Sequence, residues 1–361
     1  MGVAAMQLCM ASLAGPRLAV LRRKGQFERK GGRAMTLIAF EDFQLGETRS
    51  YGDYLFTAPD IVAFAQVYDA QPFHLDDEAA RHSILGGLAA SGWHTCSALM
   101  RMNVDGWLAG TTGLAGIGIE ENRWLAPVRP GDRLSARMET IEKVELRSRP
   151  DAGIVKFATS LRNQAGEEVM SQKSSILFGR REPLAESTPS LAKRAPKAAP
   201  PELERIDDPF AALPDDYARA RVGAYADLGE THFSADFIRD YASQFDPLPF
   251  HVDEEAGRAH LLGAMSAAGL QTACCWMHHF IALRRKAAGG EIPGRASPGF
   301  SDLVWRKPVL VGDRITFSTQ VIAKRQTSKP GLGLIQSRNL AINQRGEIAL
   351  EFVASVFSPI G

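Results

Sequence analysis

Residues Tyr68–Thr95, YDAQPFHLDDEAARHSILGGLAASGWHT, recur as FDPLPFHVDEEAGRAHLLGAMSAAGLQT over Phe245–Thr272. A constant offset of 177 carries Asp69 to Asp246, His74 to His251 and Gly92 to Gly269, and no gap intervenes. Solenoid repeats return every 20–50 residues or so. A period this long instead means that one domain-sized unit has been duplicated within a single chain. The length of 361 residues agrees, being enough for two domains that each bury a core.

Around the repeated block the two halves follow one order. Thr57 and Ser234 stand where helix N-caps belong, and Pro59 falls in a first helical turn. Ile61, Phe64, Ala65 and Tyr68 then form an i, i+3, i+4, i+7 stripe, matched by Phe237, Ile238, Tyr241 and Phe245. Each stripe ends at an aspartate, Asp69 or Asp246. A long apolar helix is expected to start at Gly92, running to about Asn103, and at Gly269, running to about Leu283. Four strand-like segments follow in each half, at about 113–125, 132–146, 153–163 and 168–179, and at about 299–307, 313–325, 332–343 and 348–358. Turn signals at matching places separate them, such as Pro130-Gly131-Asp132 and Val311-Gly312-Asp313. Helices followed by an antiparallel meander make the class α+β. Residues 181–215 hold seven prolines among Ala, Lys, Arg and Glu, a linker composition that predicts little structure. The expected division is therefore 1–34, 35–180, 181–215 and 216–361, with the two domains packed side by side because a half-buried sheet needs a partner.

Charge narrows the partners. A net charge of +1 leaves no strong field for nucleic acid or an anionic membrane. The uncharged run Ala259–Leu283 contains Gln271, Thr272, His278 and His279 and reads as a buried helix, not a membrane span. Cys9, Cys96, Cys274 and Cys275 show no metal spacing and read as reduced core thiols of a cytoplasmic protein. The basic, acid-poor residues 1–34 read as an extension upstream of a start at Met35, in preference to a targeting segment, and are expected to be poorly ordered.

Asp69 and His74, like Asp246 and His251, lie five residues apart across a proline-bent loop, which can bring a carboxylate and an imidazole together around one water. Such a pair suits general acid/base work. The H-x-D spacing that adds Asp76 and Asp253 would suit a metal, but no third ligand recurs and an N-cap role explains both; no metal is expected. His94, His278 and His279 have no obvious catalytic partner and read as structural. No phosphate loop, nucleophile elbow or dinucleotide fingerprint occurs in a suitable setting.

The elements FEDFQLGE (40–47), YDAQPFHLD (68–76), GGLAASGWHT (86–95) and RWLAPVRPGDRL (123–134) resemble the MaoC-like acyl dehydratases, which include (R)-specific enoyl-CoA hydratases. So do FDPLPFHVD (245–253), GAMSAAGLQT (263–272) and VWRKPVLVGDRI (304–315) in the second half. The resemblance implies two hot-dog domains, each a sheet wrapped around a long helix and paired as an internal pseudo-dimer. It implies an acyl-CoA thioester lying along their interface, with CoA part of the substrate and no separate cofactor. It further implies hydration of trans-2-enoyl-CoA to (R)-3-hydroxyacyl-CoA, or the reverse, with Asp69/His74 and Asp246/His251 holding the water. Gly92 and Gly269, opening the long helices, would offer backbone donors to the thioester oxygen and let it approach closely. Arg81, Arg258, Arg123, Arg306 and Lys307 are weaker candidates for CoA phosphates. The sequence departs from several family members by placing Ser91 and Ala268 before those glycines, where a His is found, and Met100 and Met277 where a helix Ser is found. The alternatives are a hot-dog thioesterase and a non-catalytic acyl-CoA-binding pseudo-dimer; internal pairs could also assemble into a homo-oligomer.

Overall fold

A computed structural model of the chain describes residues 37–147, 149–183, 203–213 and 217–360. The basic segment 1–34, Cys9 and most of the proline-rich 181–215 connection lie outside the described residues. The first half contains strands β1 (Thr48–Leu55), β2 (Gly113–Trp124), β3 (Arg133–Glu145), β4 (Ala152–Arg162) and β5 (Glu168–Gly179). The second contains β6 (Ile206–Asp207), β7 (Ala224–His232), β8 (Gly299–Trp305), β9 (Arg314–Gln326), β10 (Leu332–Asn343) and β11 (Ile348–Pro359).

The helices start where the sequence supplies caps. Thr57 accepts from the Asp60 N–H, Ser234 from Phe237 and Ser91 from Trp93, each satisfying an amide that the first helical turn leaves free. Asp76 and Asp253 cap the short helices Asp77–Arg81 and Glu254–Ala259 in the same way. The two central helices are Gly92–Gly106 and Gly269–Ala288, somewhat longer than their apolar patterning suggests. The second stops at Gly289, whose left-handed φ of 73° closes the helix. Most of its first three turns is buried, so the uncharged run is a core helix from Gly269 onward, while residues 260–268 before it form an irregular connection; no helix among the described residues is long and apolar enough to cross a membrane.

All eleven strands form one sheet, in the order β1-β3-β4-β5-β2-β8-β11-β10-β9-β7-β6. This corrects the simple meander expected from sequence. β3, β4 and β5 do meander, but β2 pairs with β5 on one side and with β8 of the other half on the other. The strand that leaves the central helix thus returns to the seam, where Gly118 faces Val304 and Arg123 faces Gly299. Both glycines are required there: a Cβ on Gly118 would lie 2.4 Å from the Leu303 carbonyl oxygen, and one on Gly299 only 1.9 Å from that of Asn122. One apolar core runs beneath both halves. Trp93 of the first half stacks on Phe300 of the second at 4.8 Å.

Three strands have no counterpart in the sequence reading. β1 and β7 precede the helices and add to β3 and β9, each interrupted by a positive-φ glycine, Gly52 or Gly229. β6 and the helix Pro209–Ala212 fall in the region read as linker. Asp208 caps that helix and Pro209 opens it, so this proline starts structure, and Ala211, Ala212 and Leu213 are buried.

Candidate functional site

Each dyad is assembled by three local devices. The buried stripe Ile61, Phe64, Ala65 and Tyr68 anchors the helix Ala58–Tyr68, and Asp69 caps its C-terminal end. The chain then turns tightly, the Gln71 N–H donating to the Asp69 carbonyl at 2.7 Å, and Pro72 opens the single helical turn Pro72–Leu75 that carries His74. His74 Nδ1 lies 2.7 Å from the Ala89 carbonyl oxygen. A carbonyl only accepts, so Nδ1 carries the proton and the Nε2 lone pair faces Asp69 Oδ2 at 3.5 Å. The second half repeats this. The Leu248 N–H donates to the Asp246 carbonyl at 2.8 Å, His251 Nδ1 lies 2.7 Å from the Ser266 carbonyl oxygen, and Nε2 stands 3.5 Å from Asp246 Oδ2. All four side chains are buried.

Burial shapes the ionisation of these groups. It lowers the His74 pKa, with the Asp69 charge and the Ala89 carbonyl opposing, and lowers His251 to about 4. Burial also pushes Asp246 up to about 8. The imidazoles are therefore neutral near pH 7, and each presents an acceptor to the space beside its aspartate side chain.

Two side chains beside the first dyad were missed as site residues. Gln71 Nε2 donates to Asp69 Oδ1 at 3.0 Å, and the Ser91 hydroxyl donates to Asp69 Oδ2 at 2.7 Å. Arg129, also missed, donates to the carbonyls of Leu85, Gly87 and Leu88, holding the segment between His74 and the central helix. The available signal was the repeat itself: at register these positions read Leu248, Ala268 and Leu310.

The structure places the other sequence candidates differently from the dyads. Gly92 and Gly269 do open the central helices. The space a side chain would fill, however, is occupied by an indole: a Cβ on Gly92 would lie 2.3 Å from Trp124, and one on Gly269 2.5 Å from Trp305. The missing side chain thus admits a strand tryptophan on that side, where the sequence reading expected a thioester. Arg81, Arg258, Arg123, Arg306 and Lys307 are not drawn into the dyads; they are exposed and paired with Asp77, Glu254, Glu121, Glu351 and Glu347 in turn. His278 Nδ1 lies 2.8 Å from the Val67 carbonyl oxygen and His279 Nε2 2.8 Å from Thr231 Oγ1, while His94 stacks on Phe64. Cys96, Cys274 and Cys275 are buried free thiols. A cleft of about 450 Å³ runs between the halves beside the first dyad, lined by Pro72, Phe73 and Ile84 on one side and by Pro293, Arg295 and Phe357 on the other.

The sequence model of the MaoC like domain matches residues 42–159, and that of the FAS1-like dehydratase domain region matches residues 220–352. The chain belongs to the MaoC-like dehydratase family. Its fold is similar to a MaoC domain protein dehydratase from Chloroflexus aurantiacus, with a TM-score of 0.72 and 17% identity over 92% of this chain and all of that one (100%). It is also similar to a Mycobacterium tuberculosis protein with a double hotdog fold, with a TM-score of 0.63 and 14% identity over 88% of this chain and 97% of that one. Among curated proteins, mesaconyl-CoA hydratase of Cereibacter sphaeroides is 25% identical over 240 residues, 65% of this chain and 68% of its own. As a MaoC-like dehydratase the chain carries two hot-dog domains, one wrapped around each central helix.

Proposed function

We propose that this MaoC-like chain is an acyl-CoA hydratase/dehydratase that interconverts trans-2-enoyl-CoA and (R)-3-hydroxyacyl-CoA by syn addition or removal of water. The observation that carries the reading is the buried pairing of a carboxylate oxygen with an imidazole Nε2 at 3.5 Å, formed twice. Both atoms are acceptors when the carboxylate is ionised. A water bridging them would donate both of its hydrogens and leave its oxygen lone pair directed away from the pair, toward an electrophilic C3. As the C3–O bond forms, the carboxylate takes one proton with the imidazole orienting the water. The carboxylic acid so formed delivers that proton from the same side to C2, which completes the syn addition and regenerates the carboxylate, and dehydration runs these steps backwards.

Charge develops meanwhile on the thioester oxygen. The positive end of a central helix, at Gly92 or Gly269, is suited to receive it, and one such donor contributes about 3–4 kcal/mol to lowering a barrier. With the Cβ side of each glycine occupied by indole, the thioester would approach from the opposite face. The interdomain cleft beside Phe73 is of a size that suits a CoA arm. The Cereibacter sphaeroides relative is named for hydration of a CoA thioester, in keeping with this substrate class.

A panel of enoyl-CoA thioesters tests the reading. Loss of the enoyl absorbance with (R)-3-hydroxyacyl-CoA as product is expected, and the His74→Ala/His251→Ala double variant should lose about 10²–10⁴-fold in kcat. Release of free thiol would make the chain a thioesterase, and tight binding without turnover a binding protein; either result overturns the proposal.

A further inference from the structure

The dyads share their internal spacing but not their surroundings. Asp69 accepts from Gln71 Nε2 and from the Ser91 hydroxyl. Both donors are unambiguous in direction. Gln71 Oε1 already accepts from the Arg295 N–H at 2.9 Å, so the amide nitrogen must face Asp69. Ser91 Oγ already accepts from the Trp93 N–H, so its proton is free for the carboxylate. The Arg295 N–H that sets the Gln71 amide comes from the other half, in the Gly289–Pro298 connection, which buried Arg284 holds by donating to the Pro293 carbonyl at 2.9 Å. Around Asp246 the same positions are Leu248 and Ala268, which have no side-chain donor, and Asp246 Oδ1 is buried without a hydrogen-bond partner.

Fixed donors favour an ionised carboxylate, whereas burial without them favours the neutral acid. We propose that Gln71 and Ser91 are positioning residues that make Asp69 the working base of the chain, while the second dyad, whose carboxyl group has no such donors, stands as a neutral acid–imidazole pair. This rests on the hydratase reading above and adds which half works. The titratable neighbours do not reverse the contrast. Asp69 faces His74 and, from the second central helix, Cys274, with His94 beyond His74. Asp246 faces His251 and Tyr241, with His260 beyond His251. Burial raises Cys274 and Tyr241 and lowers His94, His251 and His260, so each of these is neutral near pH 7. Burial likewise holds Asp246 protonated there, with its pKa up at about 8.

The test writes the second half's residues into the first. Gln71→Leu/Ser91→Ala is expected to lower kcat at pH 7 roughly 10- to 100-fold, the factor carried by hydrogen bonds to a charged group. KM should change much less, the acidic limb of the kcat profile should move to higher pH, and Ser91→Thr should retain most of the rate. An acidic limb that stays in place overturns the proposal. A second measurement is independent of turnover and uses infrared spectra of the full chain with isotope-labelled aspartate. At pH 7 the wild type should show a buried carboxylic-acid carbonyl band that Asp246→Asn removes and Asp69→Asn leaves. The Gln71→Leu/Ser91→Ala variant should gain a second such band. No acid band in the wild type at pH 7, or one that Asp69→Asn removes, overturns the proposal even if the double variant does not fold. Failure of the hydratase reading is seen separately, as a wild type that consumes no enoyl-CoA.

Discussion

Asp69 and Asp246 stand at the same place in the repeat, each with a neutral imidazole 3.5 Å away, and the difference between them has a thermodynamic signature. The folded chain keeps a proton on Asp246 up to about pH 8, whereas the unfolded chain releases it near the ordinary 3.8, so this group makes stability fall as pH rises through that window. His251, lowered from 6.5 to about 4, acts in the opposite sense. Between those values the unfolded chain holds a proton that the folded chain has lost, and stability rises with pH. The two contributions nearly cancel below about pH 6.5, leaving the Asp246 loss alone between there and pH 8, at about 2 kcal/mol. Urea denaturation at pH 6.5 and 8 should show Asp246→Asn losing less stability over that interval than the wild type by about this amount. Equal losses would mean that Asp246 is ionised throughout. The dyads were legible in sequence because D-x-x-P-F-H occurs twice. Gln71 and Ser91 were not recognised as site residues because their meaning lies in the difference between the copies, and a motif search reads only the agreement.

Among the elements, eight strands and both central helices were legible because apolar alternation, turn residues and caps coincide. β1 and β7 were not, since Gly52 and Gly229 break their pattern and the ladder is irregular beside each glycine. Gly229 sits against the His279 ring, where a Cβ would lie 2.6 Å from Nδ1, so packing on the central helix dictates that interruption. Trp124 makes a similarly close approach to Gly92, the first residue of the other central helix. Gly92→Ala should displace the indole and cost about 1–3 kcal/mol, measured by chemical denaturation and by a change in tryptophan fluorescence. Stability unchanged within about 0.5 kcal/mol would show that Trp124 is not held against the helix.

At the scale of the molecule, the β2–β8 seam and the shared core join the halves through one continuous sheet and one apolar cluster. Their contact extends beyond the sheet: Ser97 on the first central helix is 2.7 Å from the Tyr241 hydroxyl of the second half. Gly299 is the narrowest point of the seam, with φ of 143° and no room for a Cβ. Gly299→Ala should cost at least about 1–3 kcal/mol from backbone strain alone. It should lower hydrogen-exchange protection in both central helices together; loss confined to the second half would mean that the halves open independently. The tandem arrangement has a further consequence. Two identical subunits related by an axis must carry every substitution on both sides of it. Encoding the sides separately removes that obligation, so one flank can be edited while the other stays as it is. Gln71 opposite Leu248, Ser91 opposite Ala268 and Trp107 opposite Arg284 are asymmetries that a self-pairing monomer has no means to express.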